Sequence, residues 1–287
     1  MKTVPVRHIA RSEKEQGSAG LFSIRRLQQL LNGKPMSHDL HRHDFYFVLA
    51  VQTGKGIHEI DFEQFNIKDH TVFMLRPGQV HRLELTAGSK GFLMEFDLSF
   101  YRPQNSITDH RFKKASGKNY CAVDAPRFTR LHSFLENAFH EFSAKEDGYM
   151  EAIKANLDLF FIEYNRQSRD PGAIDKGRNG YAQDRFEELI QLLESNIGSM
   201  KSVSQYADLL SLSSYQLNAI TKASVGKTVS ELINEQIILE AKRYLLATAS
   251  QVKDVADHLG FEDPSYFIRF FKKHTGHSPE AFRKNFK

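Results

Sequence analysis

The chain has almost no cysteine. Cys121 stands alone among 287 residues, which excludes an internal disulfide and suits a reducing, cytoplasmic setting. No apolar run approaches the roughly 18 residues of a membrane-spanning helix. The opening stretch MKTVPVRHIARSEKEQ lacks the apolar core of a secretory signal. Strong charge of one sign is missing too: the net charge is +4 and the pI about 9.0, which permits a polyanionic partner without requiring one. From residue 180 onward thirteen basic residues balance thirteen acidic ones, so bulk charge cannot argue for nucleic-acid binding there. What basic character exists is local. Residues 264–287 hold Arg269, Lys272, Lys273, Arg283, Lys284 and Lys287 against Glu280 alone. A hydrophobic share of 40% and a charged share of 26% fit a globular chain long enough for two domains of ordinary size.

What is present concentrates in 252–284, VKDVADHLGFEDPSYFIRFFKKHTGHSPEAFRK. Val252, Val255, Ala256 and Leu259 share one face of a short helix, and Gly260 ends it. Asp263-Pro264 offers an N-cap followed by proline at the first helical position. The next helix, 265–275, carries Phe267, Phe270 and Phe271 on one side with Arg269, Lys272 and Lys273 elsewhere. Gly276 closes it, and Ser278-Pro279 starts another. That is a helix-turn-helix pattern. It occurs twice: forty-nine residues upstream Val203, Ala207, Asp208 and Leu210 repeat Val252, Ala256, Asp257 and Leu259. With one residue fewer at the turn, Leu217, Ile220, Lys222 and Gly226 then repeat Phe267, Phe270, Lys272 and Gly276, and the match runs on through Thr228 and Leu232. Apolar, small, basic and glycine positions kept in step over thirty residues indicate a duplicated unit within one domain.

At GFEDPSYFIRFFKKHTGHSPEAFRK the chain resembles the AraC/XylS family of bacterial transcription regulators, over about 184–287. The resemblance implies a C-terminal all-α domain that places two recognition helices in successive major grooves. It also implies a homodimer and, more than repression, activation of transcription, with RNA polymerase as a further partner. On the first recognition helix, 213–225, Tyr215, Asn218, Ala219 and Lys222 lie together at i, i+3, i+4, i+7; on the second the matching face is Ser265, Ile268, Arg269 and Lys272. The helix start at Pro264 and the neighbouring Lys273 complete the expected DNA-binding set. Arginine can bond guanine bidentately and asparagine adenine, while lysines such as Lys273, Lys284 and Lys287 would meet phosphates. Ala219 and Thr221 depart from the arginine and aromatic usual in the family, so the first helix should lean on Tyr215 and Asn218.

The N-terminal half has the texture of many short strands. Apolar runs at 45–51, 57–62, 71–75, 81–85 and 92–96 alternate with turn signals, which points to a small all-β barrel or jelly roll. Periodicity leaves 21–31 open between strand and helix. HRHDFYFVLAVQTGKG (41–56) and PGQVHRL (77–83) resemble the paired motifs of the cupin superfamily, so the expected architecture is a cupin-like barrel. Residues 124–143 and 149–167 then show helical stripes, Phe128, Leu131, Leu135, Ala138, Phe139, Phe142 and Ile153, Leu157, Phe160, Phe161, Tyr164, joined by a loop short enough to make the helices antiparallel. The expected division is an effector-sensing and dimerisation domain over 1–166, with the dimer formed through 124–167, a linker over 167–183 and the DNA-binding domain over 184–287. The charge run Arg111, Lys113, Lys114, Lys118 reads as a solvated loop.

Strand alternation puts His43, Phe45, Phe47, Leu49 and Val51 on one face. With His81 they would line an aromatic cavity for a small organic effector, a carboxylate or an aromatic, unless their own side chains fill it. In metal-binding cupins a His-x-His pair, a glutamate four residues on and a later histidine hold a divalent ion. Here His41, His43 and His81 match, but Phe47 stands at the glutamate position, so no metal and no other cofactor is expected. Two readings remain beside the effector-controlled regulator: a metal-dependent cupin enzyme fused to a DNA-binding module, and an effector-free DNA-binding protein.

Overall fold

A computed structural model describes residues 5–9, 21–103, 105–167 and 179–285. The chain forms two compact units whose division falls within 168–178, outside the described residues.

In the N-terminal unit two five-stranded sheets enclose an apolar interior. The first has the order β1 (Val6–Arg7), β3 (Met36–His43), β8 (Val80–Leu85), β5 (Gly56–Ile60), β6 (Glu63–Ile67). The second has the order β10 (Tyr120–Ala122), β7 (Thr71–Leu75), β4 (Tyr46–Thr53), β9 (Lys90–Phe96), β2 (Phe22–Arg26). Apart from the parallel β1–β3 contact, the paired strands run antiparallel. The expected all-β cupin-like barrel is therefore present.

The central strand β4 shows why the pattern reads as a continuous apolar run. Phe47, Leu49 and Val51 belong to the interior with Phe45, Phe73, Leu83 and Leu93. Val48 and Ala50, pointing the other way, lie under α3 (Ala125–Ala144) and α4 (Tyr149–Gln167) with Phe128, Leu131, Leu157 and Phe161. Both faces are covered, so no polar alternation is needed. The helix pair is antiparallel, since Arg127 near the start of α3 donates to the Arg166 carbonyl near the end of α4 at 3.2 Å. Their apolar stripes are consumed by the barrel, with Phe128, Leu131, Leu135, Ile153, Leu157, Phe160 and Tyr164 all buried.

Four expectations need correction. The run 57–62 is not one strand: it breaks after Ile60, where Asp61 and Phe62 take φ of 49° and 73° in a two-residue hairpin turn. The undecided stretch 21–31 is both strand and helix, β2 followed by α1 (Leu27–Leu31). The charge run near 111–118 lies mostly on a helix, α2 (Ser106–Ser116), started by an Asn105 capping box and buried through Phe112 and Ala115. Finally, Gln167 ends α4 and helix α5 (Asn179–Asn196) begins before residue 184, so both ends of the expected linker are helical; residues 168–178 lie outside the described residues.

The C-terminal unit continues from α5 with α6 (Val203–Leu209), α7 (Ser214–Val225), α8 (Val229–Ala247), α9 (Val252–His258), α10 (Pro264–Thr275) and α11 (Pro279–Asn285). Four of these starts are written locally. Ser202–Gln205, Ser213–Gln216 and Thr228–Glu231 form capping boxes at α6, α7 and α8, and Asp263 accepts from the Ser265 N–H ahead of α10.

Candidate nucleic-acid interface and barrel interior

The two copies share the hydrogen bonds of their turns. After α6 the Ser211 N–H bonds the Asp208 carbonyl at 3.0 Å and the Leu212 N–H bonds that of Ala207 at 2.9 Å; after α9 Gly260 and Phe261 repeat both bonds to Asp257 and Ala256, each at 2.9 Å. The turn residue has positive φ in both copies, 55° at Ser211 and 68° at Gly260. Helices α7 and α10 end at matching left-handed glycines, Gly226 and Gly276. In each, two side chains anchor the helix, Leu217 and Thr221 in the first, Phe267 and Phe271 in the second. Tyr215, Ala219 and Lys222 of α7, and Ser265, Ile268, Arg269, Lys272 and Lys273 of α10, are exposed. Tyr215 is 84% exposed, far more than a tyrosine with a packing role would be. Half-buried Pro264 holds the first turn of α10.

Asn218 is half-buried and engaged within its own unit. Its amide donates to the Ser214 carbonyl within α7 at 2.9 Å, and its oxygen accepts from the Val229 N–H at 3.0 Å, which ties α7 to the start of α8. The Arg283 guanidinium also turns inward. It donates to the carbonyls of Leu245 (2.9 Å) and Ser250 (2.7 Å), closing the C-terminal end of α8, and leaves the local basic surface without its charge. Arg269 keeps a side chain 68% exposed, with only a 3.7 Å approach to Asp263. Lys284 is exposed, and Lys287 lies outside the described residues.

In the barrel, His43, Phe45, Phe47, Leu49 and His81 come together as expected, all buried and packed against one another. The His43 ring stacks on Phe47 with centroids 5.4 Å apart and planes 7° from parallel. His41 lies opposite His81 in the β3–β8 register, which brings one ligand nitrogen from each of His41, His43 and His81 within 4.8 Å of the others. A fourth imidazole joins them. His58 of β5 places Nε2 2.9 Å from His81 Nδ1, and His81 Nε2 is 2.7 Å from His43 Nε2. Its inward aim was legible in principle, since His58 has the same parity as Ile60 along β5. Burial lowers all these histidines: His41 to about 4, His43 and His58 to about 3, His81 well below its ordinary range, with neighbouring imidazoles adding to the effect and Arg7 to that on His41 and His43. The cluster is therefore neutral at pH 7.

A separate cleft of about 150 Å³ opens between β9 and α3. Arg26, Gln28, Gln52, Gly91, Phe92, His132 and Glu136 line it, none of them among the expected effector residues. Arg26 bonds Glu136 across it and lies over the Phe139 ring at 4.7 Å. No described helix is long and apolar enough to cross a membrane.

Residues 34–157 match the family model of the AraC-like ligand binding domain, and residues 206–285 match that of a helix-turn-helix domain. The chain is 24% identical over 254 residues to the HTH-type transcriptional activator RhaS of Citrobacter koseri, covering 85% of this chain and 87% of the relative. It is 21% identical over 259 residues to the uncharacterized HTH-type transcriptional regulator YfiF of Bacillus subtilis, covering 86% and 79% respectively. Among solved structures, the C-terminal domain of the two-component response regulator yesN of Fusobacterium nucleatum shares 32% identity, over 34% of this chain and 97% of that one, with a TM-score of 0.32.

Proposed function

The chain belongs to the AraC family of DNA-binding transcription regulators, and from that premise we propose how its parts divide the work. Helices α7 and α10 enter neighbouring major grooves of one operator. The observation that carries this is the duplicated exposed face, Tyr215, Ala219, Lys222 in one copy and Ser265, Ile268, Arg269, Lys272 in the other, set on helices whose opposite sides are anchored. Arg269 reads a guanine edge, Tyr215 and Ile268 contact thymine methyls, and Lys273 holds a phosphate. With Asn218 engaged internally and Ala219 too short to reach far, the first helix carries less hydrogen-bonded sequence information than the second.

A small organic effector in the N-terminal barrel controls the outcome by binding one arrangement of the protein better than another. His43, Phe45, Phe47, Leu49 and His81 supply its surroundings. Because these side chains fill the interior, the effector must displace rings to enter. A homodimer through 124–167 uses the outward faces of α3 and α4, where Leu159 is a large exposed apolar side chain at 46%. Activation through RNA polymerase is the mode the family implies.

The test is binding to a mapped operator and to an unrelated duplex. Arg269→Ala should weaken operator binding by about 1–3 kcal/mol and relax preference at one base pair. Lys273→Ala should weaken both duplexes alike and reduce the salt slope by about one. An equal loss on all sequences for Arg269→Ala would refute the base-reading role.

A further inference from the structure

We propose that the cleft between β9 and α3 binds a small zwitterion, a free α-amino acid, held by Arg26 and Glu136 together. The sheet that floors the cleft is locally irregular. Along β4, Val48 and Ala50 are buried under the helices, and Gln52 continues their row with a polar side chain. The strand bulges at this point: Val51 pairs with Gly91 and Thr53 with Lys90, which leaves Gln52 as the extra residue. Gly91 makes the bulge possible. Its φ is 139°, and a Cβ there would lie 2.0 Å from the Ala50 carbonyl oxygen. Bulges re-aim side chains, and Gln52 here lines the cleft.

The lining pairs its charges and leaves polar groups open. Arg26 of β2 reaches Glu136 of α3 through Nη2, and the bond goes to Oε1, which His140 Nε2 also approaches at 3.3 Å. Arg26 Nη1 and Glu136 Oε2 therefore stay without hydrogen bonds among the described residues, on one and the same ion pair. The Gln52 amide and the His132 ring make no hydrogen bond there either. Gln28 accepts the Gly91 N–H on Oε1 at 3.4 Å and keeps its NH2 to donate. Burial lowers His132 below its ordinary range, with Glu136 opposing and Arg26 adding, so the ring is neutral at pH 7.

These groups select the occupant. A simple anion drawn to Arg26 meets the Glu136 charge at once, and a simple cation meets Arg26, so each attraction is nearly cancelled. A zwitterion brings both signs. Its carboxylate accepts from the Arg26 guanidinium and its ammonium donates to the open Glu136 oxygen, both as charge-assisted hydrogen bonds. The amides and the imidazole then meet a short polar side chain. The cleft, at about 150 Å³, falls well under the roughly 300–1,000 Å³ of a drug-sized site and suits glycine or serine rather than a peptide. Arg26 and Gln52 belong to the second sheet and Glu136 to α3, so the occupant fastens helix to sheet. The site stands apart from the barrel interior and neither needs nor excludes an effector there.

Full-length protein is titrated calorimetrically with L-serine and glycine, and with propionate, ethylammonium and glycerol, which carry one charge or none. At least one of the amino acids should bind saturably, one molecule per chain, about tenfold or more tighter than any of the other three probes. Glu136→Gln keeps the side chain's shape and removes its charge. It should weaken amino-acid binding about tenfold and strengthen that of propionate, a change of preference that a merely structural role would not produce. Gln52→Leu should weaken amino-acid binding severalfold, and it keeps the test decisive if Glu136→Gln misfolds by circular dichroism. Arg82→Ala, in β8 of the other sheet, should change nothing. With the amino acid bound, amide exchange in Ala125–Ala144 should slow. Absence of saturable binding by either amino acid overturns the proposal. So does propionate or glycerol binding as tightly, or amino-acid binding that survives both Glu136→Gln and Gln52→Leu.

Discussion

Gly260→Ala should unseat the second helix-turn-helix while its counterpart change, Ser211→Gly, firms up the first. Both residues occupy the same turn with positive φ, 68° and 55°. An L-residue held in the left-handed region costs about 1–2 kcal/mol, which Ser211 already bears and Gly260 avoids. The surroundings differ more than the backbone does. A Cβ on Gly260 would lie 2.1 Å from the Gly198 carbonyl oxygen, and the obstacle is main chain, so α9 or the segment after α5 must shift. Such overpacking adds about 1–3 kcal/mol. Together the substitution should cost about 2–5 kcal/mol, and the shift would also disturb the 2.7 Å bond from Lys201 Nζ to the Gly260 carbonyl. Ser211→Gly should gain up to about 1 kcal/mol. The assay is amide hydrogen exchange on the full-length protein, which reads opening of α9–α10 and α6–α7 separately. Gly260→Ala should speed exchange in Val252–His258 and Pro264–Thr275 by more than tenfold. If protection there changes by less than about 0.5 kcal/mol, or Ser211→Gly loosens its own unit, the reasoning from φ and contact distance fails.

Arg283→Met should lower stability by about 2–3 kcal/mol in urea unfolding, because one buried and one part-buried carbonyl lose a charged donor, yet leave the salt dependence of operator binding unchanged; a smaller slope would mean the side chain meets phosphate after all. Asn218→Ala should cost about 0.5–1.5 kcal/mol of stability with no change in base preference at any operator position, checked by binding to a panel of single-substituted duplexes.

The double helix-turn-helix was legible because its signals are local: a cap at Asp263, glycines at Gly226, Gly260 and Gly276, and a helical period between them. Two inward-turned polar side chains were not. Nothing near Asn218 or Arg283 in sequence announces Val229, Leu245 or Ser250 as partners, since those bonds span 11 to 38 residues. In the barrel, alternation along β4 correctly grouped Phe47, Leu49 and Val51, with Phe45 just before the strand, because every second residue of a strand faces one way. It missed the break at Asp61 and Phe62, where phenylalanine occupies a backbone region that favours glycine and asparagine. His58 was overlooked for a related reason: its nearness to His81 depends on which strands pair, and β5–β8 pairing is a long-range fact.

Strand β9 is a thin partition with occupants on both sides. Leu93 presses into the space shared with Phe47 and Phe73, while Phe92 stands against His132 and Phe139 of α3, and Phe96 against Phe161 of α4. One peptide unit separates the two populations. A molecule that forces the inner rings aside therefore leans on the same backbone that seats the helices, and news of its arrival needs to cross a single wall to reach the outer surface of the domain.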